Sequence, residues 1–249
     1  MKTFIGPIEW LRFKEKIDAE QRKLTNIFYG VVFVLPLMVF ILCRFGFLEV
    51  TVKVSETQIG AVGIVTSGSG GNSIGTAFLI TESQLLTAAH VVKYAEVGDR
   101  VTINFEKNPK TYEAVVKFKT NPDSKVKDYA VLELVDAKFK NFYSIAKSED
   151  LAKINDKVFV IGYPGGTFCS SSGEITNTSW HENEEFLQLW AAAWPGNSGG
   201  PVIHKESGKV IGILTSGDNV NKGMTMAVKM DLLFADMELN KVVDLEIIK

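Results

Sequence analysis

Residues 194–203 read WPGNSGGPVI. Three glycines crowd a single serine, Ser198, in a stretch too short and too glycine-rich to be a helix. Two explanations fit. The stretch is an ordinary turn, or it is a nucleophile loop whose glycines let backbone N–H groups converge on one developing oxyanion, each donor typically worth about 3 kcal/mol of barrier. The residues available elsewhere to activate Ser198 decide between them, and with that the fold.

The pattern G-x-S-x-G also fits the strand-to-helix elbow of α/β-hydrolases, in which the serine is followed by its acid and then its histidine. Here the only histidine after Ser198 is His204, with no acid between them, so the elbow fails. The order acid, histidine, serine fails as well, because the only aspartate before His90 is Asp18, ahead of a long apolar run. The order histidine, aspartate, serine works. His90 ends LLTAAH, where an apolar strand meets a turn, and Asp128 opens DYAVLELV, whose alternation puts Ala130, Leu132 and Leu134 on one face and leaves the acid at the strand mouth. The chemistry needs these residue types. A neutral imidazole takes the serine proton, a carboxylate fixes the tautomer, and the N–H groups of Gly196 and Ser198 form the oxyanion hole. Activity should therefore fall on acidification, as His90 protonates.

Taken singly the signals are modest, since a histidine beside an apolar strand is usually structural and an aspartate at a strand start is usually a turn former. Asp99, Asp123 and Asp136 compete with Asp128 but lack the alternation behind it. His181, in a polar loop, and His204, before a turn, read as solvated surface residues. The ordered set with the glycine loop makes coincidence a poor explanation.

Beyond about residue 57 the texture is all-β. Short β-branched or aromatic runs (IGAVGIV, GTAFLI, QLLTAAHVV, RVTINF, YEAVVKF, DYAVLELV, KVFVIGYP, EFLQLW, PVIH, KVIGILTSG, MTMAV) recur between Gly, Pro, Asn and Ser clusters. That spacing predicts a sandwich or barrel, not βαβ units. Only a turn after Ala88 and the stretch 229–239 read as helical. A division falls near residues 140–152.

The set GTAFLI, LLTAAHVV around His90, DYAVLEL at Asp128, GNSGGPVI at Ser198 and IGILTSG at 211–217 resembles the trypsin-like serine proteases of the HtrA/Deg type, over roughly residues 58–239. The resemblance implies two six-stranded antiparallel barrels (58–140 and 152–239) with a C-terminal helix and the triad in the cleft between them. It further implies endopeptidase action on protein or peptide substrates through an acyl-enzyme. A specificity pocket would be walled by Thr215, Ser216 and Gly217 and floored near Ala192, which carries no charge and favours cleavage after small or medium aliphatic residues. Homotrimers are common in that family. Two departures stand out. Asn197 occupies the place of the aspartate that digestive relatives use for activation by a new N-terminus, so propeptide activation is not expected. No PDZ-like continuation follows in the sequence, so capture of substrate by such a domain is not expected either.

The 249 residues carry 27 Lys and Arg against 29 Asp and Glu, for a formal net charge of −2. Such a balance gives no basic surplus for nucleic acid. The two cysteines, Cys43 and Cys169, read as free thiols, and with three scattered histidines they offer no metal-ligand spacing; no metal or cofactor is expected. Asn177-Thr178-Ser179 fits a glycosylation sequon, a triplet common by chance.

Residues 24–43, LTNIFYGVVFVLPLMVFILC, contain no charged side chain and at about 1.5 Å per residue span roughly 30 Å, the thickness of a bilayer core. Pro36 is tolerated in a membrane span, and a buried soluble helix would show a polar stripe. A cleaved signal peptide is disfavoured by the long segment before the run and by the absence of a small-x-small site in Arg44-Phe45-Gly46-Phe47. Lys2, Arg12, Lys14, Lys16, Arg22 and Lys23 precede the run, while only Arg44 and Lys53 follow closely. The positive-inside rule thus puts 1–23 in the cytoplasm and the domain 58–249 on the far side, facing a bacterial periplasm. Ile8, Leu11, Ile17 and Leu24 suit a short amphipathic helix at the inner surface. Residues 44–57 form a linker in which self-cleavage would release the domain. Set against the anchored protease are a catalytically inactive protease fold serving as a scaffold, and a virus-derived processing protease.

Overall fold

A computed structural model describes residues 62–67, 73–123, 127–145, 152–179, 186–217 and 223–230, together with Glu20, Ser55, Ile59, Leu233, Phe234, Asp236 and Met237. Contacts divide the chain into units Met1–Val52 and Lys53–Lys249, and the second is the subject here. The apolar run 24–43, its flanks, Cys43 and His181 lie outside the described residues. Among the described residues no helix is long and apolar enough to cross a membrane.

Two closed antiparallel barrels make up the second unit. Strands β1 (Val62–Ser67), β2 (Ser73–Leu79), β3 (Gln84–Thr87), β4 (Arg100–Phe105), β5 (Thr111–Lys119) and β6 (Ala130–Leu134) close the first in the order β1-β2-β3-β6-β5-β4. Strands β7 (Lys157–Gly162), β8 (Cys169–Asn177), β9 (Phe186–Trp190), β10 (Pro201–His204), β11 (Val210–Gly217) and β12 (Met224–Lys229) close the second as β7-β8-β9-β12-β11-β10, the same permutation six strands on. Closure follows from β1 pairing with β4, through Gly63↔Phe105 and Val65↔Ile103, and from β10 pairing with β7, through Val202↔Val160. A closed barrel leaves no strand edge unpaired.

Period-2 patterning drives most of these strands. Along β4 the exposed Arg100 and Thr102 alternate with the buried Val101 and Ile103, and the expected run RVTINF matches the strand. β6 departs from the expected alternation: Ala130, Leu132 and Leu134 are buried, but so is Val131, so the strand is covered on both faces along its first half. β8, CSSSGEITN, was not among the expected strands. Of its side chains Ile175 alone is fully buried, and the backbone ladders to β7 and β9 hold it in place.

Packing of the first barrel centres on residues such as Phe78, fully buried and edge-on to Tyr143 with ring centroids 5.8 Å apart. Truncating such a ring to alanine costs about 3–5 kcal/mol. The turn expected after Ala88 is a 3-10 segment, Ala89–Val92. Met230, Leu233, Phe234, Asp236 and Met237 have helical backbone, and the apolar ones among them are buried; Lys229, expected to open the helix, is instead the last residue of β12, and residues 231, 232, 235, 238 and 239 lie outside the description.

Candidate active site

His90 sits in the 3-10 segment that follows β3, and Asp128 stands two residues before β6. Because β3 and β6 are paired, with Thr87 opposite Ala130, the two side chains are delivered to the same end of the first barrel. The Asp128 carboxylate engages His90 twice: Oδ1 accepts the His90 backbone N–H at 3.0 Å, and Oδ2 lies 2.6 Å from Nδ1. The acid is 12% exposed and the imidazole 35%. A buried carboxylate with two N–H donors is satisfied as an anion, and the pairing assigns the Nδ1 proton, leaving Nε2 free to accept another.

Ser198 follows β9 on a loop that crosses to the first barrel. The backbone N–H of Thr76, on β2, donates to the Ser198 carbonyl at 2.8 Å. A Cβ placed on Gly199 would lie 2.2 Å from the Thr76 carbonyl oxygen and 2.9 Å from the Ala88 nitrogen, so the loop is pressed against the segment leading to His90. Gly199 has φ +85° and Gly196 φ +105°, conformations that only glycine adopts without strain. Gly200 is required by space instead, since a Cβ there would lie 2.1 Å from the Ile161 carbonyl oxygen, and together these constraints answer why three glycines surround the serine.

The N–H groups of this loop are sorted. Asn197 donates to the Trp194 carbonyl, Gly199 to that of Leu214 and Gly200 to that of Asn197. Among the described residues the N–H groups of Gly196 and Ser198 donate to nothing. Each belongs to a peptide unit whose carbonyl is held from the other side, Pro195 by the Gly165 N–H at 3.1 Å and Asn197 by the Gly200 N–H at 2.9 Å. In a trans peptide the N–H points opposite to the C=O, so both free donors are directed away from the loop's own anchors, as an anion-binding hole requires.

The Ser198 hydroxyl donates to the Thr215 carbonyl at 3.2 Å, and among the described residues it makes no bond to His90. Thr215 lies at a bulge in β11 between Leu214 and Ser216, while Ser216 and Gly217 pair with Met226 and Thr225 of β12. Ala192, also expected in the pocket, is half-buried, and its carbonyl accepts the Ser171 hydroxyl at 2.7 Å. The Thr225 hydroxyl holds the Ala191 carbonyl at 2.8 Å. Ser171, on the polar strand β8, was invisible to sequence reasoning, as was Thr76.

Asn197 is 3% exposed, and its Oδ1 is buried without a hydrogen-bond partner. Beside Asp128, Tyr129 is fully buried and its hydroxyl donates to Asp236 at 2.7 Å. Burial first, then that bond, pushes the phenol above its ordinary range. His204, expected at the surface, is buried, with Nδ1 3.0 Å from the Ser207 hydroxyl and Nε2 3.5 Å from Asp156. It closes a turn in the second barrel as part of β10, outside the cleft residues just described.

The model of the trypsin-like peptidase domain matches residues 75–213, more than half of the chain. The chain belongs to that family. Among known relatives, a protease described as putative and Do-like, Do-like 12 of Arabidopsis thaliana mitochondria, is 29% identical over 164 residues, 61% of this chain and 31% of the relative. The match thus spans about a third of that relative's length. Of solved structures, the serine endoprotease from Yersinia pestis superposes with TM-score 0.63 at 25% identity, over 77% of this chain and 67% of that one. The HtrA-type protease AlgW, solved with a tripeptide, gives TM-score 0.62 at 26% identity over 73% and 60%. The trypsin-like peptidase fold and its HtrA/Do-type relatives agree with the resemblance carried by the motifs around His90, Asp128 and Ser198.

Proposed function

We propose that this trypsin-like peptidase domain is a serine endopeptidase of the HtrA type, in which Ser198 attacks the scissile carbonyl, His90 takes and returns the proton, and Asp128 holds the imidazole. The reading is carried by one observation above the rest: among the described residues the paired donors at Gly196 and Ser198 are unspent, while the N–H groups of Asn197, Gly199 and Gly200 beside them are used. Attack by Oγ moves the hydroxyl proton to His90 Nε2 and places negative charge on the carbonyl oxygen, where the two N–H groups receive it. Collapse expels the amine, which takes the proton back, and water repeats the cycle on the acyl-enzyme. For this the Ser198 hydroxyl leaves the Thr215 carbonyl, a side-chain rotation between staggered wells.

In the same reading the uncharged surround of Ala192 with Ser171, Thr215, Ser216 and Gly217 receives a small or medium aliphatic side chain before the cut bond. Profiling with a peptide library tests this, and a dominant preference for Lys or Arg contradicts it. The apolar run 24–43 anchors the domain with residues 1–23 cytoplasmic, the domain acting on misfolded or specific proteins outside the cytoplasm. Protease protection of the N-terminal segment in sealed vesicles tests that orientation.

A second reading, a catalytically silent protease fold serving as a scaffold, is favoured by the Ser198 hydroxyl facing Thr215 rather than His90. A fluorophosphonate probe separates the two. Covalent labelling of the full chain at Ser198 in detergent micelles supports the peptidase, and no labelling of the folded protein supports the scaffold.

A further inference from the structure

We propose that Thr76, on β2 of the first barrel, is a positioning residue for the oxyanion loop of the second barrel. The inference rests on the serine endopeptidase reading and extends it to a side chain of the GTAFLI run to which the sequence assigned no role.

Thr76 is fully buried, and its N–H and hydroxyl are engaged across the barrel junction while its carbonyl is engaged within the first barrel. Its backbone N–H donates to the Ser198 carbonyl at 2.8 Å. Its hydroxyl donates to the Gly196 carbonyl at 2.7 Å and accepts the Tyr163 N–H, at the end of β7, at 3.1 Å. Its carbonyl accepts the Thr87 hydroxyl at 2.7 Å, three residues before His90. One residue therefore links the segment bearing the histidine to both carbonyls that bracket Asn197 and Ser198.

The hydroxyl matters for a specific reason. The two free donors, Gly196 N–H and Ser198 N–H, lie on either side of the peptide unit joining Gly196 to Asn197. That central unit is held at its carbonyl by Thr76 and at its N–H by the Trp194 carbonyl. Gly196, at φ +105°, has the widest choice of backbone conformations of any residue type, so its observed state needs an external constraint. The Thr76 hydroxyl supplies one. Room for it is built in: a Cβ on Gly162 would lie 2.9 Å from Thr76 Oγ1 and 2.6 Å from Asn197 Oδ1. A valine in place of Thr76 keeps shape but leaves the Gly196 carbonyl and the Tyr163 N–H without partners, and unsatisfied buried groups drive local rearrangement.

The test uses the full chain in detergent micelles, comparing wild type, Thr76→Val, Thr76→Ser and Ser198→Ala. Expected for Thr76→Val is a fall in kcat of about 100-fold, the scale of losing one oxyanion donor, with KM within threefold. Affinity for a peptide aldehyde, which forms a tetrahedral oxyanion adduct, should fall in proportion to kcat/KM, while affinity for the matching reduced-bond peptide, which forms none, should hold. Thr76→Ser, which keeps the hydroxyl, should restore kcat and aldehyde affinity. A merely structural residue would not separate the two inhibitors. A folded Thr76→Val with kcat within threefold of wild type, or with equal losses of both inhibitors, overturns the proposal while leaving the peptidase reading intact. If Thr76→Val does not fold, Thr76→Ser decides: kcat within threefold of wild type supports the proposal, and a fall of 30-fold or more overturns it. A wild-type chain that neither cleaves nor reacts with a fluorophosphonate overturns the peptidase reading and this inference with it.

Discussion

Replacing Asp128 by asparagine tests the histidine–aspartate geometry with the smallest available change in shape. The carboxylate now receives two N–H groups from one residue, the His90 main chain at Oδ1 (3.0 Å) and the ring at Oδ2 (2.6 Å). A carboxamide has one acceptor and one donor, so it can serve only one of them. With its oxygen toward the main chain, its NH₂ faces Nδ1, which then gives up its proton; the neutral ring carries the proton on Nε2 and cannot accept one from Ser198. With its oxygen toward Nδ1, its NH₂ opposes the main-chain N–H, two donors about 3 Å apart at a buried site, which costs about 1–3 kcal/mol. The first arrangement avoids that penalty by a tautomer change, so the damage falls on catalysis rather than on folding. In serine–histidine–aspartate sites of this kind the change lowers kcat by about 10⁴, equivalent to about 5.5 kcal/mol of transition-state stabilisation. The assay is kcat/KM on a chromogenic peptide, with thermal unfolding followed in parallel. Activity within tenfold of wild type in a folded Asp128→Asn protein would refute the assignment of Asp128 as the residue that orients His90.

Gly199→Ala puts a Cβ 2.2 Å from the Thr76 carbonyl oxygen at a φ of +85°; left-handed strain with overpacking should lower stability by about 2–5 kcal/mol, and a melting temperature within 2 °C of wild type, about the shift of a fraction of a kcal/mol, contradicts the packing described. Asn197→Asp buries a carboxylate at a side chain whose oxygen has no donor; the folded state then disfavours the anion, so the variant should lose stability as pH rises through about 4, and a variant more stable at pH 7 than at pH 4 relative to wild type contradicts this. Tyr129 has its phenol pKa raised in the fold by burial and by Asp236, so its contribution is complete below about pH 10 and is lost above it, by ~1.4 kcal/mol per pH unit while only the unfolded chain ionises. Tyr129→Phe should flatten the alkaline decline in melting temperature, and an unchanged decline contradicts the coupling.

How far the sequence revealed these features depends on where each signal is stored. β4 and β10 were legible as RVTINF and PVIH because β-branched residues and short boundaries mark them locally. β8 was not, because its triple serine reads as a loop and only Ile175 commits to the core; its place is set by ladders to β7 and β9. His90 and Asp128 were legible as an ordered pair, since each ends or opens a recognisable strand and those strands are neighbours. The roles of Thr76, Ser171 and the Gly165 N–H were not, because their partners lie far along the chain. His204 misled for the same reason: a polar residue before a turn looks exposed until the Ser207 and Asp156 contacts that bury it are known.

The most direct test of the account is cleavage of an unfolded model protein by the full chain in detergent micelles, wild type beside Ser198→Ala, with fluorophosphonate labelling on the same samples. The account predicts cleavage and labelling of the wild type and neither in the folded variant. Cleavage by Ser198→Ala at the wild-type rate would contradict it.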